Sequence, residues 1–290
     1  MVQSHSKNFS IFNWKTISLV GFFLGLYYHI IIKLIYDWGS SPDNSHGFLV
    51  PFIAAYLFWE KKDQIIKIEI KTENWGLLVL VLGLLLNVLG VVGAEFFTMR
   101  FSMIVVIFGI IYFLCGKEMV KNLLLPVGYL VFMIPIPAIV FNVIAFPLKL
   151  FAANIATEII QFINIPVYRE GNIIQLVGIT LEVADACSGI RSLMPMIALG
   201  VAYAYFSQNS LIKKIILVLL TIPITILANV MRVTGTGILT HYVGPAAALG
   251  FFHEFAGIFI FLVAFAMLVL TGTIINKMVN GGKDSGGTVK

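Results

Sequence analysis

Residues 75–115 read WGLLVLVLGLLLNVLGVVGAEFFTMRFSMIVVIFGIIYFLC, two apolar runs (75–94 and 99–115) whose only charges, Glu95 and Arg100, lie beside the join. A helix needs about 20 apolar residues to cross the hydrocarbon core, within a range of roughly 17–25. The stretch is therefore expected to cross a bilayer and return. Working outward, further spans are expected over 16–36, 47–60, 122–138, 188–206, 213–233 and 250–275. The run 47–60 is short and ends on Trp59–Glu60, but Lys61, Lys62, Lys67 and Lys71 follow at once, as befits a cytoplasmic loop. Composition agrees: 59% of the 290 residues are hydrophobic and 11% charged, with a mean hydropathy of +0.98. Soluble domains carry roughly 25% charged residues. Two cysteines exclude a disulfide scaffold, and nothing in the composition calls for a nucleic-acid partner.

The basic residues set the expected orientation. Lys7, Lys15, the four lysines of 60–74, Lys117, Lys121, Lys213, Lys214, Lys277, Lys283 and Lys290 all become cytoplasmic if the N-terminus is inside. Lys33, Lys149 and all the arginines (Arg100, Arg169, Arg191, Arg232) fall at the opposite face, so something other than topology selected the arginines. The fifth span leaves the membrane near Pro135 and Pro137, and 188–206 must descend to reach Lys213. Residues 139–165 are then expected to form an interfacial or re-entrant helix broken at Pro147. Tyr168–Val183, with Gly171 and Gly178 among β-branched residues, is expected to form a small extracytoplasmic hairpin. The reading is one all-α polytopic domain over 1–290. It has about eight transmembrane helices, with cytoplasmic tails at 1–15 and 276–290, in the plasma membrane. No cleavable signal peptide is evident.

On this map three uncommon side chains reach one depth from three helices. Cys187 opens span six, Arg232 ends span seven, and His253 opens span eight. Thiol, imidazole and guanidinium together suit acyl transfer: nucleophile, proton carrier and oxyanion partner. A helix N-terminus and a nearby cation favour thiolate, and Arg191 follows Cys187 by one turn. His46 and Gly47 stand at the mouth of span two and are candidates to line the site. Asn229, three residues before Arg232, shares its face, and Glu254 adjoins His253. Gly235 and Gly237 are expected to let the chain break or pack closely after span seven, while Cys115 is read as a small packing residue. No His/Cys spacing suggests zinc, and no cofactor is implied.

Five stretches, in order, carry a resemblance. They are 44–59 (NSHGFLVPFIAAYLFW), 123–137 (LLLPVGYLVFMIPIP), 184–193 (ADACSGIRSL), 227–233 (LANVMRV) and 253–257 (HEFAG). Together they resemble the exosortase/archaeosortase family of membrane cysteine transpeptidases, in the short, sortase-only form. The resemblance implies that Cys187 is the nucleophile and Arg232 the family's arginine. Histidine at 253 points to the bacterial exosortase branch. It further implies substrates that are exported proteins bearing a C-terminal tripartite signal: a short motif such as Pro-Glu-Pro, a transmembrane helix and a basic cluster. The acceptor, glycan, lipid or water, is left open, as is the division of roles between Arg232 and His253. Arg191 and His46 are implied only as aids to substrate positioning.

Two other classes compete. A transporter or polysaccharide-export component would line a path through the bilayer midplane with polar groups, whereas here they gather at one face. A polysaccharide-assembly enzyme would pair acidic residues, and Asp37, Asp43, Glu95, Glu170, Glu182, Asp185 and Glu254 form no evident pair.

Overall fold

The computed structural model describes residues 14–176, 179–183, 190–244 and 250–284, without the side chains at 15–16, 190–191, 250–254 and 279–284. The chain divides between Pro135 and Ile136 into two compact units. Among the described residues six helices are long and apolar enough to cross a membrane: Ile17–Ser40, Trp75–Val92, Phe96–Cys115, Ala138–Phe162, Leu211–Val243 and Phe255–Met278. The protein is a polytopic helical membrane protein, but the expected eight spans are not reached by helix length.

In the first unit α1 (Trp14–Ser40) leads to α2 (Leu49–Glu60), the short α3 (Lys62–Ile65), α4 (Trp75–Val92), α5 (Phe96–Cys115) and α6 (Lys117–Tyr129). The hairpin expected over 75–115 forms as α4 and α5. Gly76, Gly83 and Gly90, seven residues apart, form a bare seam on α4, and a methyl at Gly83 or Gly90 would sit 2.7–2.8 Å from Val106 or Met99. Small residues let the two backbones approach closely, the usual basis of helix packing in lipid. Glu95 caps α5 by accepting from Phe97 N (2.9 Å) and Thr98 N (2.6 Å).

The spans expected over 47–60 and 122–138 are α2 and α6, of only 12 and 13 residues. Each is continued by a 3-10 turn, Ser45–Phe48 before α2 and Leu130–Met133 after α6. Helix plus turn is about 26–28 Å long, close to the roughly 30 Å of the hydrocarbon core. The pair is tied at both ends. Lys61 Nζ donates to Asn122 O (3.0 Å), Trp38 Nε1 donates to Met133 O (2.8 Å), and His46 Nε2 lies 3.2 Å from Phe132 O.

The second unit holds α7 (Ala138–Phe162), β1 (Val167–Glu170), β2 (Ile173–Leu176), β3 (Ile179–Glu182), α8 (Ile190–Ser207), α9 (Leu211–Val243) and α10 (Gly250–Asp284). Three expectations are corrected here. The break at Pro147 is absent: α7 runs through it as one helix of 25 residues, long and apolar enough to span. A proline is tolerated in a membrane helix where neighbours satisfy the freed backbone groups. Its alanine face (Ala145, Ala152, Ala153, Ala156) is buried, partly against Val230 and Val233 of α9. The hairpin is a three-stranded antiparallel sheet in the order β1-β2-β3. Its apolar face (Ile174, Leu176, Leu181, Val183) packs on the C-terminal halves of α7 and α9. Finally, α9 does not end at Arg232 or break at the glycines but continues to Val243. Gly237 instead packs closely on α7, where a methyl would lie 2.7 Å from Ile160 Cδ1.

The C-terminal segment expected as a tail from 276 is helical to Asp284. α8, α9 and α10 share a core of Met196, Ala204, Leu217, Ile224, Ala228, Ala264 and Leu268. At one end of that core Gln208 Nε2 donates to Gly272 O (3.1 Å) and Asn276 Nδ2 to Ser207 O (2.9 Å), joining α8 to α10.

Candidate active site around Arg232

At the other end of the α8–α9–α10 core, α9 carries Thr221, Thr225, Asn229 and Arg232 on one buried face. The spacing of four, four and three residues makes this a single helical stripe. Thr221 and Thr225 turn their hydroxyls back onto Leu217 O (3.1 Å) and Thr221 O (2.7 Å). Those two groups are satisfied within the helix, and the stripe's chemistry concentrates at its Asn229–Arg232 end.

Arg232 is 8% exposed. A buried guanidinium within a span is costly, which makes Arg232 a candidate functional residue. Its head lies on the backbone of α10: a methyl on Gly257 would come 3.2 Å from Nη2 and 3.5 Å from Cζ. The small cleft beside it is lined by Ser192 from α8, Asn229 and Arg232 from α9, and Gly257, Ile260 and Phe261 from α10. Planar donors in such a partly dry site suit a developing oxyanion better than any group in open water.

Of the expected trio, Arg232 is described in full. His253 is described as backbone only, in the first turn of α10 and one turn before Gly257; Glu254 follows it. Cys187 lies outside the described residues, as does the Arg191 side chain. The chain on both sides of Cys187 is nevertheless described. Before it, Val183 packs in one apolar cluster with Val230 and Val233. After it, Ser192 lines the Arg232 cleft. Both flanks of the Cys187 segment therefore meet the Ala228–Val233 stretch of α9.

His46 belongs to the first unit. Its Nδ1 lies 3.1 Å from Asp43 O and its Nε2 3.2 Å from Phe132 O, so both ring nitrogens are engaged with backbone carbonyls. Asp37 explains Arg100, whose Nη2 bonds Asp37 Oδ2, while Lys33 Nζ sits 3.2 Å from Oδ1. Among the described residues no three or more His, Cys, Asp and Glu side chains gather as a metal would require.

Ser192, Gly257 and the α9 stripe were not singled out from sequence, although the 221-225-229-232 spacing was available as a signal. Gly257 stood within the 253–257 stretch, but only the coordinates bring the guanidinium onto it.

Comparison with known proteins bears on the whole of this arrangement. The family described as transmembrane exosortase (Exosortase_EpsH) matches residues 38–270, which include both flanks of the Cys187 segment, Arg232 and Gly257. Comparisons with curated proteins and with solved structures return no match. With the match covering most of the chain, the protein belongs to the transmembrane exosortase family.

Proposed function

We propose that this membrane transpeptidase works as a cysteine enzyme, with Cys187 as nucleophile, His253 as general acid and base, and Arg232 as the oxyanion partner. The Cys187 thiolate attacks the scissile carbonyl, and its new C–S bond forms as the carbonyl electrons move onto oxygen beside the guanidinium. Collapse breaks the C–N bond, the imidazolium gives its proton to the departing amine, and a thioester remains. An acceptor amine, hydroxyl or water then attacks, giving its proton to the imidazole, and the thiolate leaves. The opposite division of roles between Arg232 and His253 satisfies the same balance.

The observation that carries this reading is the buried Arg232 head resting on Gly257, with the chain on both sides of Cys187 packed beside the same turns of α9. The substrates are exported proteins with a C-terminal tripartite signal, cut at the extracytoplasmic face of the inner membrane, and both termini of the enzyme are cytoplasmic. Lys213 and Arg232 are nineteen residues apart in α9, about 28 Å at 1.5 Å per residue. That is roughly the hydrocarbon thickness, so a cytoplasmic Lys213 puts Arg232 at the outer boundary. Asn229 and Ser192 complete the cleft, while Glu254 and Arg191 support their neighbours. His46, with both nitrogens on carbonyls, acts by shaping the first unit.

The test is Cys187→Ala and Cys187→Ser in cells carrying a tagged substrate. Uncut substrate is expected to accumulate while enzyme abundance stays constant. Normal processing by the Ala variant contradicts the reading. A flux insensitive to thiol-blocking reagents would instead favour a transporter.

A further inference from the structure

The two edges of the sheet are not alike. Val183 N donates to Asn172 O (2.9 Å), so in the antiparallel register residues 179, 181 and 183 turn their N–H and C=O groups toward β2. Thr180 and Glu182 must then turn theirs away. By the same alternation 173 and 175 of β2 face β1, which leaves Val167 and Arg169 on the opposite edge. On that edge one outward group is taken, since Gln161 of α7 donates Nε2–H to Val167 O at 3.2 Å. On the β3 side no strand pairs with Thr180 or Glu182 among the described residues, and both side chains are exposed.

Unpaired edge groups are a template for another extended chain. This edge is also continuous with the proposed chemistry. β3 is anchored through Val183 to Val230 and Val233, which flank Arg232 in α9, and Cys187 follows Glu182 by five residues. Five residues span at most about 18 Å. A chain lying along β3 therefore has its bond for cleavage within about five residues of the paired stretch. The exposed face of the sheet carries Glu170, Gln175, Thr180 and Glu182, which suits water or headgroups rather than hydrocarbon.

We propose that the open edge of β3 is the docking strand for the substrate polypeptide. The stretch beside the scissile bond is held extended by main-chain hydrogen bonds to Thr180 and Glu182, as a fourth strand. Main-chain pairing gives affinity with little demand on side chains, and specificity is left to alternate positions. The inference rests on Cys187 being the nucleophile, and its test separates the two.

The experiment uses full-length enzyme in proteoliposomes and a reporter fused to a C-terminal segment of short motif, apolar helix and basic cluster. Thr180→Pro removes an outward N–H without touching the β2–β3 ladder. It is expected to raise KM about three- to tenfold, the worth of one or two hydrogen bonds, with kcat and Tm near wild type. Gln175→Ala, on the central strand, should keep the wild-type KM. Independently, proline placed at successive substrate positions near the cut should impair cleavage at every second position with the wild-type enzyme. If Thr180→Pro fails to fold, this scan decides. A wild-type KM for Thr180→Pro, or a scan without alternation, overturns the docking strand while an inert Cys187→Ala leaves the nucleophile standing. A Cys187→Ala enzyme that still cleaves overturns the nucleophile instead.

Discussion

Arg100 and Arg232 answer the question raised by arginines lying away from the lysine-rich loops, each in a different way. Arg100 is 3% exposed and is neutralised by Asp37, so it ties α5 to α1. Replacing it by leucine leaves Asp37 half-shielded with Lys33 as its remaining partner, and the expected cost is about 3 kcal/mol, read as a lower unfolding midpoint in detergent. Arg169 donates to Gly171 O at 2.8 Å and closes the β1–β2 turn. Arg232 instead faces the cleft. The bare Cα of Gly257 is what gives its head room, and Gly257→Ala is expected to lower kcat at least tenfold while the protein still folds. In an Arg232→Lys background the added methyl should do little more, because the planar head it displaces is gone; equal losses in both backgrounds would count against this coupling.

At the scale of elements, the long apolar runs were legible because hydrophobic length is the one quantity a bilayer dictates. The α4–α5 hairpin and the helices over 16–36, 213–233 and 250–275 all follow from it. Boundaries were less legible, since the signals used for them have two physical outcomes. Pro147 reads as a break in isolation, and Gly237 as either a break or a close contact. In the fold a stripe of alanines and a close contact with Ile160 keep both helices continuous. Strand β1, VYRE, lacks an apolar run of its own and becomes a strand by pairing with β2. The glycine seam of α4 makes a sharper statement. Gly83→Leu should separate α4 from α5 and cost about 1–3 kcal/mol through overpacking, visible as a lower unfolding midpoint, while the same change at Gly21, which faces open space, should cost little.

At the scale of the molecule, Cys187, Arg232 and His253 stand out by type, whereas Ser192 and Gly257 do not, and only the fold says which residues share a place. Asn229, Arg232 and Gly257 come together with Ser192, and the flanks of Cys187 reach the same turns of α9. His46 serves the α1, α2 and α6 contacts of the first unit. The sheet, β3 included, packs at the Arg232 end of α9, opposite the Lys213 end. In a cysteine-free background, Tyr168→Cys on β1 should react with a membrane-impermeant maleimide in intact cells, and Ser210→Cys only after permeabilisation; the reverse pattern would turn the whole arrangement over. The most direct measurement of the central claim is the mass of the enzyme quenched in acid during turnover. A hydroxylamine-labile adduct, of the mass of the N-terminal carboxylic acid product less one water, is expected on the peptide containing Cys187. Substrate turning over while that thiol stays free throughout would contradict the claim.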